Sequence, residues 1–207
     1  MPRQARFVLP GELHHVTQRG NFHQKVFFDD QDRVIYLKYM QEFAKKYNLL
    51  IYAFCLMDNH VHFLVKPVTR DSISKTFQAV QQKYSLYLNK RCQEFGHRWQ
   101  ARYYSCVVLG NHVLTVFRYI ERNPVRAGIV EKPWDYAWSS ARMHLGTKYN
   151  IISLENVKEF IDVPSWERYL ADKDNDSDLK SLRRSTYQGR IYGPVEVVQV
   201  IQKQFKR

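Results

Sequence analysis

The sequence predicts an α+β fold: an antiparallel sheet packed against helices, with a small helical appendage towards the C-terminal end. Three observations predict it. Short runs rich in β-branched and aromatic residues alternate with longer stretches whose apolar residues recur at helical spacing. Two of the short runs, 49–57 and 60–66, are separated only by Asp58-Asn59, a tight-turn pair that makes them a hairpin. The 207 residues are 44% apolar and 14% aromatic with 8 Gly and 7 Pro, the composition of a chain that buries a core.

The elements follow in order. Residues 1–6 are basic and expected to be loose. His14-His15-Val16-Thr17-Gln18-Arg19, between Gly11 and Gly20-Asn21, reads as a first strand. Asp29, Asp30 and Asp32 offer an N-cap and an acidic first turn, after which Val34, Leu37, Met40, Ala44 and Tyr47 mark a helix that Asn48 can end. The hairpin comes next and Pro67 closes it. Asp71-Ser72 caps a second helix with Ile73, Phe77, Val80, Tyr84 and Leu88 along one side, ending near Gly96. Residues 102–109 form a fourth strand, and Gly110-Asn111 turns the chain into a helix over about 112–122 with Val113, Val116, Phe117 and Ile120 as its stripe. The order β-α-β-β-α-β-α gives a ferredoxin-like antiparallel sheet with helices against one face. The other face stays free unless the last helix crosses to it.

Charge organises the chain further. Net charge is +12, distributed as 22 Lys/Arg against 11 Asp/Glu over residues 1–148, 3 against 8 over 149–179, and 7 against 1 over 180–207. The division is therefore a basic domain over 1–148 and, over 149–207, an acidic spacer followed by a basic C-terminal helical extension. A basic body and a basic tail suit a polyanion, most simply nucleic acid, against the plainer account of a solvated basic surface. Cys55, Cys92 and Cys106 are too widely spaced for a zinc cluster and are expected to be reduced thiols. No run approaches the ~20 apolar residues of a membrane span and no apolar signal core opens the chain, so a cytoplasmic, nucleoid-associated protein without a membrane partner is expected.

Two side-chain groupings carry chemistry. On the strand from residue 60, a period of two puts His60 and His62 on one face and Val61, Phe63 and Val65 on the other. Two imidazoles about 7 Å apart can grip one divalent cation. They can equally be half-buried histidines bonded to carbonyls. On the last helix, Tyr119 and Asn123 lie four residues apart and so share a side, one turn before and one residue before Pro124. They offer a phenol and an amide oxygen together, or a core-edge tyrosine followed by a capping asparagine.

Three segments taken together resemble a known family: 57–65 (MDNHVHFLV), 96–103 (GHRWQARY) and 118–128 (RYIERNPVRAG), with 134–140 (WDYAWSS) beside them. They resemble the single-tyrosine HUH transposases, most nearly the REP-associated tyrosine transposases, over about residues 10–145. The resemblance implies the HUH nuclease core, which is the ferredoxin-like arrangement already read from the residues. It implies Tyr119 as nucleophile and His60, His62 and Asn123 as ligands of Mg²⁺ or Mn²⁺, with Val61 as the apolar residue between the histidines. The implied activity is a metal-dependent single-stranded DNA endonuclease and strand transferase, cleaving at hairpin-forming palindromes through a 5′-phosphotyrosine. The alternative is a non-cleaving DNA-binding regulator descended from such an enzyme. The implied partner is single-stranded or hairpin DNA resembling REP palindromes; monomer and dimer both remain open.

Arginines flank the expected site. Arg98, Arg102, Arg118, Arg122 and Arg126 suit phosphate contacts, and Arg19 with His15 can face the same groove from the first strand. Trp99, Trp134 and Trp138 can stack on unpaired bases or belong to the core. In the tail, Pro194 can open a helix with Val197, Val198, Ile201 and Phe205 as its stripe. Arg183, Arg184 and Arg190 before it are expected to hold a DNA hairpin or its flank, against a packing helix with solvated arginines. The sequence identifies no proton acceptor for Tyr119.

Overall fold

The computed structural model describes residues 6–148, 150–158, 160 and 165–205, with the side chains of residues 202, 204 and 205 excepted; the basic segment 1–5 lies outside them, as does the Phe205 side chain. The chain runs β1 (Leu13–Arg19), α1 (Asp30–Lys46), β2 (Leu49–Met57), β3 (His60–Pro67), α2 (Ser72–Cys92), β4 (Tyr104–Val108), α3 (His112–Glu121), α4 (Asn123–Arg126), α5 (Ala141–His144), α6 (Trp166–Ala171), α7 (Asp176–Gln188), β5 (Ile191–Tyr192) and α8 (Val195–Phe205). The sheet order is β2-β3-β1-β4-β5. The first four strands are antiparallel in the ferredoxin-like order, and β5 adds a short parallel edge to β4. Among the described residues no helix is long and apolar enough to cross a membrane.

Local chemistry explains the boundaries. The Asp29 side chain accepts from the Asp32 amide and starts α1. Asn48, at φ 53°, occupies the left-handed region and turns the chain into β2. Asp58 in the hairpin turn pairs with Arg33 of α1 at 2.5 Å and Lys25 at 3.1 Å, which pins the turn to the helix layer. Gly20 closes β1 because a Cβ there would stand 2.3 Å from the Gln24 carbonyl oxygen.

One face of the sheet meets α1 and α2. Val61, Phe63 and Val65 of β3 join Tyr36, Leu37, Met40, Ile73, Phe77, Val80, Tyr84 and Leu88 in this core. The other face is covered too. Burying the stripe Val113, Val116, Phe117 and Ile120 requires an apolar partner, and α3 crosses to the face of Leu13, Ala53, Cys55, Leu64 and Cys106. Trp166, Leu170, Leu179, Leu182 and Tyr192 complete that second cluster. Residues of the acidic stretch and of the segment after it therefore share a core with the sheet. The segment 134–140 lies along the β2 edge, with Leu56 N–H donating to the Trp138 carbonyl and Ser140 N–H to the Phe54 carbonyl, each at 2.9 Å. It shields the backbone groups that an edge strand would leave open.

The carboxylate that anchors α3 carries no local signal in the chain. Glu121 is fully buried and accepts from Ser140 Oγ at 2.6 Å and Trp166 Nε1 at 3.0 Å, and pairs with His144 Nδ1 at 2.6 Å. Burial alone would lower the His144 pKa, but the Glu121 charge and hydrogen bonds outweigh it and the pKa is raised.

Candidate active site

Strand register builds the floor of a cleft. His60 pairs with Arg19 and Met57, and His62 with Thr17 and Cys55, so the imidazoles share the α3 face with Arg19 and His15. The two rings stand edge to face at 5.0 Å. Helix α3 brings Tyr119 over them: its ring lies 5.5 Å from His62 and 5.5 Å from His15, edge-on to both. Arg19, Met57, His60, His62, Tyr119, Asn123, Arg126 and Arg183 line one cleft of about 390 Å³.

The hydrogen bonds determine which ring nitrogens are bare. Thr186 of α7 donates its hydroxyl to the Leu182 carbonyl at 2.9 Å, so towards His15 it can only accept. His15 Nδ1, 2.9 Å from Thr186 Oγ1, is therefore the protonated nitrogen, and His15 Nε2 is an acceptor. That acceptor lies 2.9 Å from His62 Nδ1, which must then carry the hydrogen and leave His62 Nε2 as a lone pair. His60 follows the same logic. Asn59 Nδ2 donates to the His23 carbonyl at 3.1 Å, which orients its Oδ1 as the acceptor for His60 Nδ1 at 2.6 Å. Both Nε2 atoms are without a partner among the described residues.

Burial keeps these rings neutral. It lowers the pKa of His60 to about 4 and of His15 to about 3, and holds His62 well below its ordinary value, with neighbouring histidines and arginines adding to the effect. Asn123 offers an oxygen. Its Nδ2 donates to the carbonyls of Tyr119 at 3.0 Å and Ile120 at 3.3 Å, which leaves Oδ1 free to accept. Two neutral imidazole nitrogens and one amide oxygen are a donor set that fits a borderline divalent cation. Among the described residues no group of three or more His, Cys, Asp or Glu is placed to hold a metal.

The arginines divide. Arg126 lies over the Tyr119 ring at 4.5 Å, donates to the Tyr119 carbonyl, and pairs with Asp174 at 3.0 Å. Arg183 lies 5.9 Å from the same ring, and hydrogen bonding to Tyr119 is the chief cause of its raised pKa. Arg122 and Arg118 pair with Asp174 at 3.1 and 3.8 Å, and also donate to the carbonyls of Leu170 and Lys173. The acidic stretch thus places one carboxylate against three of the expected DNA-contacting arginines. Arg98 and Arg102 line two other clefts, and Arg184 and Arg190 are exposed on and just after α7. Trp138 donates to Asp30 at 2.8 Å, and the Trp99 ring packs on Tyr36 and Tyr84. Tyr104 stands edge-on against Tyr187 at 5.0 Å.

Residues 12–123 match the family model described as "Transposase IS200 like". Among solved structures, the chain is similar to a REP-associated tyrosine transposase bound to a REP hairpin, with TM-score 0.58 and 17% identity over 79% of this chain and 96% of that one. It is also similar to a putative transposase from Deinococcus radiodurans, with TM-score 0.41 and 17% identity over 58% of this chain and 96% of that one. No match is found among curated proteins.

Proposed function

The chain belongs to the IS200-like transposase family, and from that membership we propose that it is a single-stranded DNA endonuclease and strand transferase acting at hairpin-forming, REP-like palindromes. One observation carries this reading. A phenol, two bare imidazole nitrogens and a free amide oxygen, drawn from β3, α3 and α4, meet in one cleft with Arg126 and Arg183 beside them. Neither Nε2 atom has a partner among the described residues, and both rings line the cleft.

In the proposed reaction the Tyr119 oxygen attacks a backbone phosphorus. A new P–O(Tyr119) bond forms as the bond to the 3′ oxygen breaks, giving a 5′-phosphotyrosine and a free 3′-OH. The leaving oxygen takes up one proton and the phenol gives up one, so no net proton is consumed and the phosphodiester energy is retained for rejoining. Arg126 and Arg183 can meet negative charge on the phenol oxygen or the phosphate. His60, His62 and Asn123 would hold a divalent cation, Mg²⁺ or Mn²⁺, whose chemistry when bound is to polarise a phosphate oxygen. The two imidazoles favour Mn²⁺ relative to an all-oxygen site. His15 and Thr186 act as positioning residues by holding His62 in the ligating tautomer.

The test is direct. Incubated with single-stranded hairpin oligonucleotides and Mn²⁺, the protein should form an adduct that survives a denaturing gel. Tyr119→Phe should abolish the adduct and leave oligonucleotide binding within about threefold. Binding without an adduct across varied hairpins would overturn cleavage in favour of a regulator.

A further inference from the structure

None of the described residues of the 96–103 segment lines the Tyr119 cleft, yet the segment is bonded to the strand that does. Gln100 N–H donates to the Arg19 carbonyl at 2.8 Å, and Asn21 N–H donates to the Arg98 carbonyl at 2.9 Å. Between them Gly20 and Trp99 form an antiparallel bridge, and Gln18 Nε2 donates to the Ala101 carbonyl at 2.9 Å. These bonds carry the pairing past the end of β1 and fix where the 20–24 loop begins. The loop then takes a costly path. Phe22 (φ 49°, ψ 28°) and His23 (φ 63°) both lie in the left-handed region, as does Ala101 (φ 50°) on the segment opposite. Side chains other than glycine rarely adopt it, and such strain persists only where surrounding bonds over-determine it. Apolar burial does not explain the path, because it leaves Phe22 84% exposed.

What the path delivers is a carbonyl. His23 N–H donates to the Gly20 carbonyl at 3.1 Å and Gln24 N–H to the Asn21 carbonyl at 2.9 Å, which leaves the His23 carbonyl to accept from Asn59 Nδ2 at 3.1 Å. The hairpin turn is held without that amide. Its Asp58 carbonyl accepts from the Val26 and Phe27 N–H groups at 2.8 and 3.1 Å, and its Asn59 carbonyl accepts from Gly20 N–H at 2.8 Å. An amide with no acceptor for its NH₂ could rotate and offer that NH₂ to His60 Nδ1, which would move the ring hydrogen to Nε2. The His23 carbonyl opposes this rotation and keeps Asn59 Oδ1 against His60 Nδ1 at 2.6 Å.

We propose that the 20–24 loop is a positioning device for His60. Its left-handed backbone, anchored on the Arg98 carbonyl, presents the His23 carbonyl to Asn59, and Asn59 thereby holds the His60 hydrogen on Nδ1 and leaves Nε2 bare. The inference rests on the ligand role proposed for His60 above. It gives the 96–103 segment a task performed by its backbone, at a distance from the cleft. Asn59 and His23 act through His60 and are positioning residues.

The experiment uses the full chain at neutral pH, free of metal and DNA, with the imidazole hydrogens located by long-range ¹H–¹⁵N correlation. Calorimetric titration of Mn²⁺ is the second readout. The wild type should carry the His60 hydrogen on Nδ1. Asn59→Ala should move it largely to Nε2 and weaken Mn²⁺ binding about 10–100-fold. His23→Pro, which fixes φ near −65° and so turns the carbonyl away, should act in the same direction. His23→Gly removes the same imidazole but keeps the left-handed backbone accessible, and should leave the hydrogen on Nδ1 and the affinity within about threefold of the wild type. The thermal transition checks folding, and if the proline variant does not fold the other two decide. A folded Asn59→Ala that keeps the hydrogen on Nδ1, or a His23→Gly shifted as far as Asn59→Ala, would overturn the assignment. A wild type that takes up no Mn²⁺ would sink the metal reading of the cleft, and the tautomer measurement would still decide this one.

Discussion

Replacing His15 by leucine tests the hydrogen-bond chain behind the two-histidine site. His15 is buried, and its Nε2 is the acceptor that keeps the hydrogen of His62 on Nδ1. Without it, that N–H would stand unpaired in the interior, at a cost of about 1–3 kcal/mol. His62 avoids the cost by moving the hydrogen to Nε2, where the open cleft supplies water. That tautomer blocks the nitrogen a cation needs. Binding must then reverse the move, so affinity should fall by about 1–3 kcal/mol, or roughly 5- to 150-fold. The usual loss for an outer partner of a metal-binding histidine, about 10–100-fold, spans the same range. His15→Gln is the conservative control, since its amide oxygen can accept from His62 while its NH₂ donates to Thr186. Calorimetric titration of Mn²⁺ into the DNA-free protein reads the effect without reference to cleavage. Wild-type affinity in folded His15→Leu, or an equal loss in His15→Gln, would refute the reasoning.

Asp174→Asn should free Arg118, Arg122 and Arg126 from their shared carboxylate, so oligonucleotide binding should strengthen and its dependence on salt steepen, while the melting temperature falls; weaker binding in the variant would contradict this. Glu121→Gln removes a fully buried charge that His144, Ser140 and Trp166 all address, and should cost about 3–5 kcal/mol in denaturant unfolding with the slope unchanged. Acid should also destabilise the fold through its buried histidines. Burial holds His14 and His60 near 4 and His15 near 3, whereas the unfolded chain protonates them near 6.5. The unfolded state therefore binds more protons below pH 6.5, and stability should fall from there to about pH 4 by up to ~1.4 kcal/mol per pH unit for each histidine. His144, with its raised pKa, works in the opposite direction, its contribution being present below about 6.5 and lost above. A urea midpoint that rises from pH 7 to pH 5 would count against the neutral histidines.

Much of the core fold was legible along the chain because its signals are local. Asp58-Asn59 marks a turn wherever it occurs, so the hairpin limits follow to within a residue, β2 being Leu49–Met57 and β3 His60–Pro67. Alternation within β3 places His60 and His62 together on one face whatever the neighbouring strand is. Helical spacing likewise joins Tyr119 to Asn123 before any tertiary contact forms. The apolar stripe of α3 announced only that it must be buried, and two faces of the sheet were available to it. What decided between them was packing, because α1 and α2 had already filled one side and Glu121 is satisfied only on the other. The partners of the site are equally non-local. Thr186 stands 171 residues from the histidine it orients, and Asp174 lies 48 residues or more from its three arginines. A side chain's spacing from its sequence neighbours constrains its direction, whereas the atoms it meets there depend on how the whole chain closes, and that is why the shared face of His60 and His62 could be read from the letters while their hydrogen-bond partners could be read only from the fold.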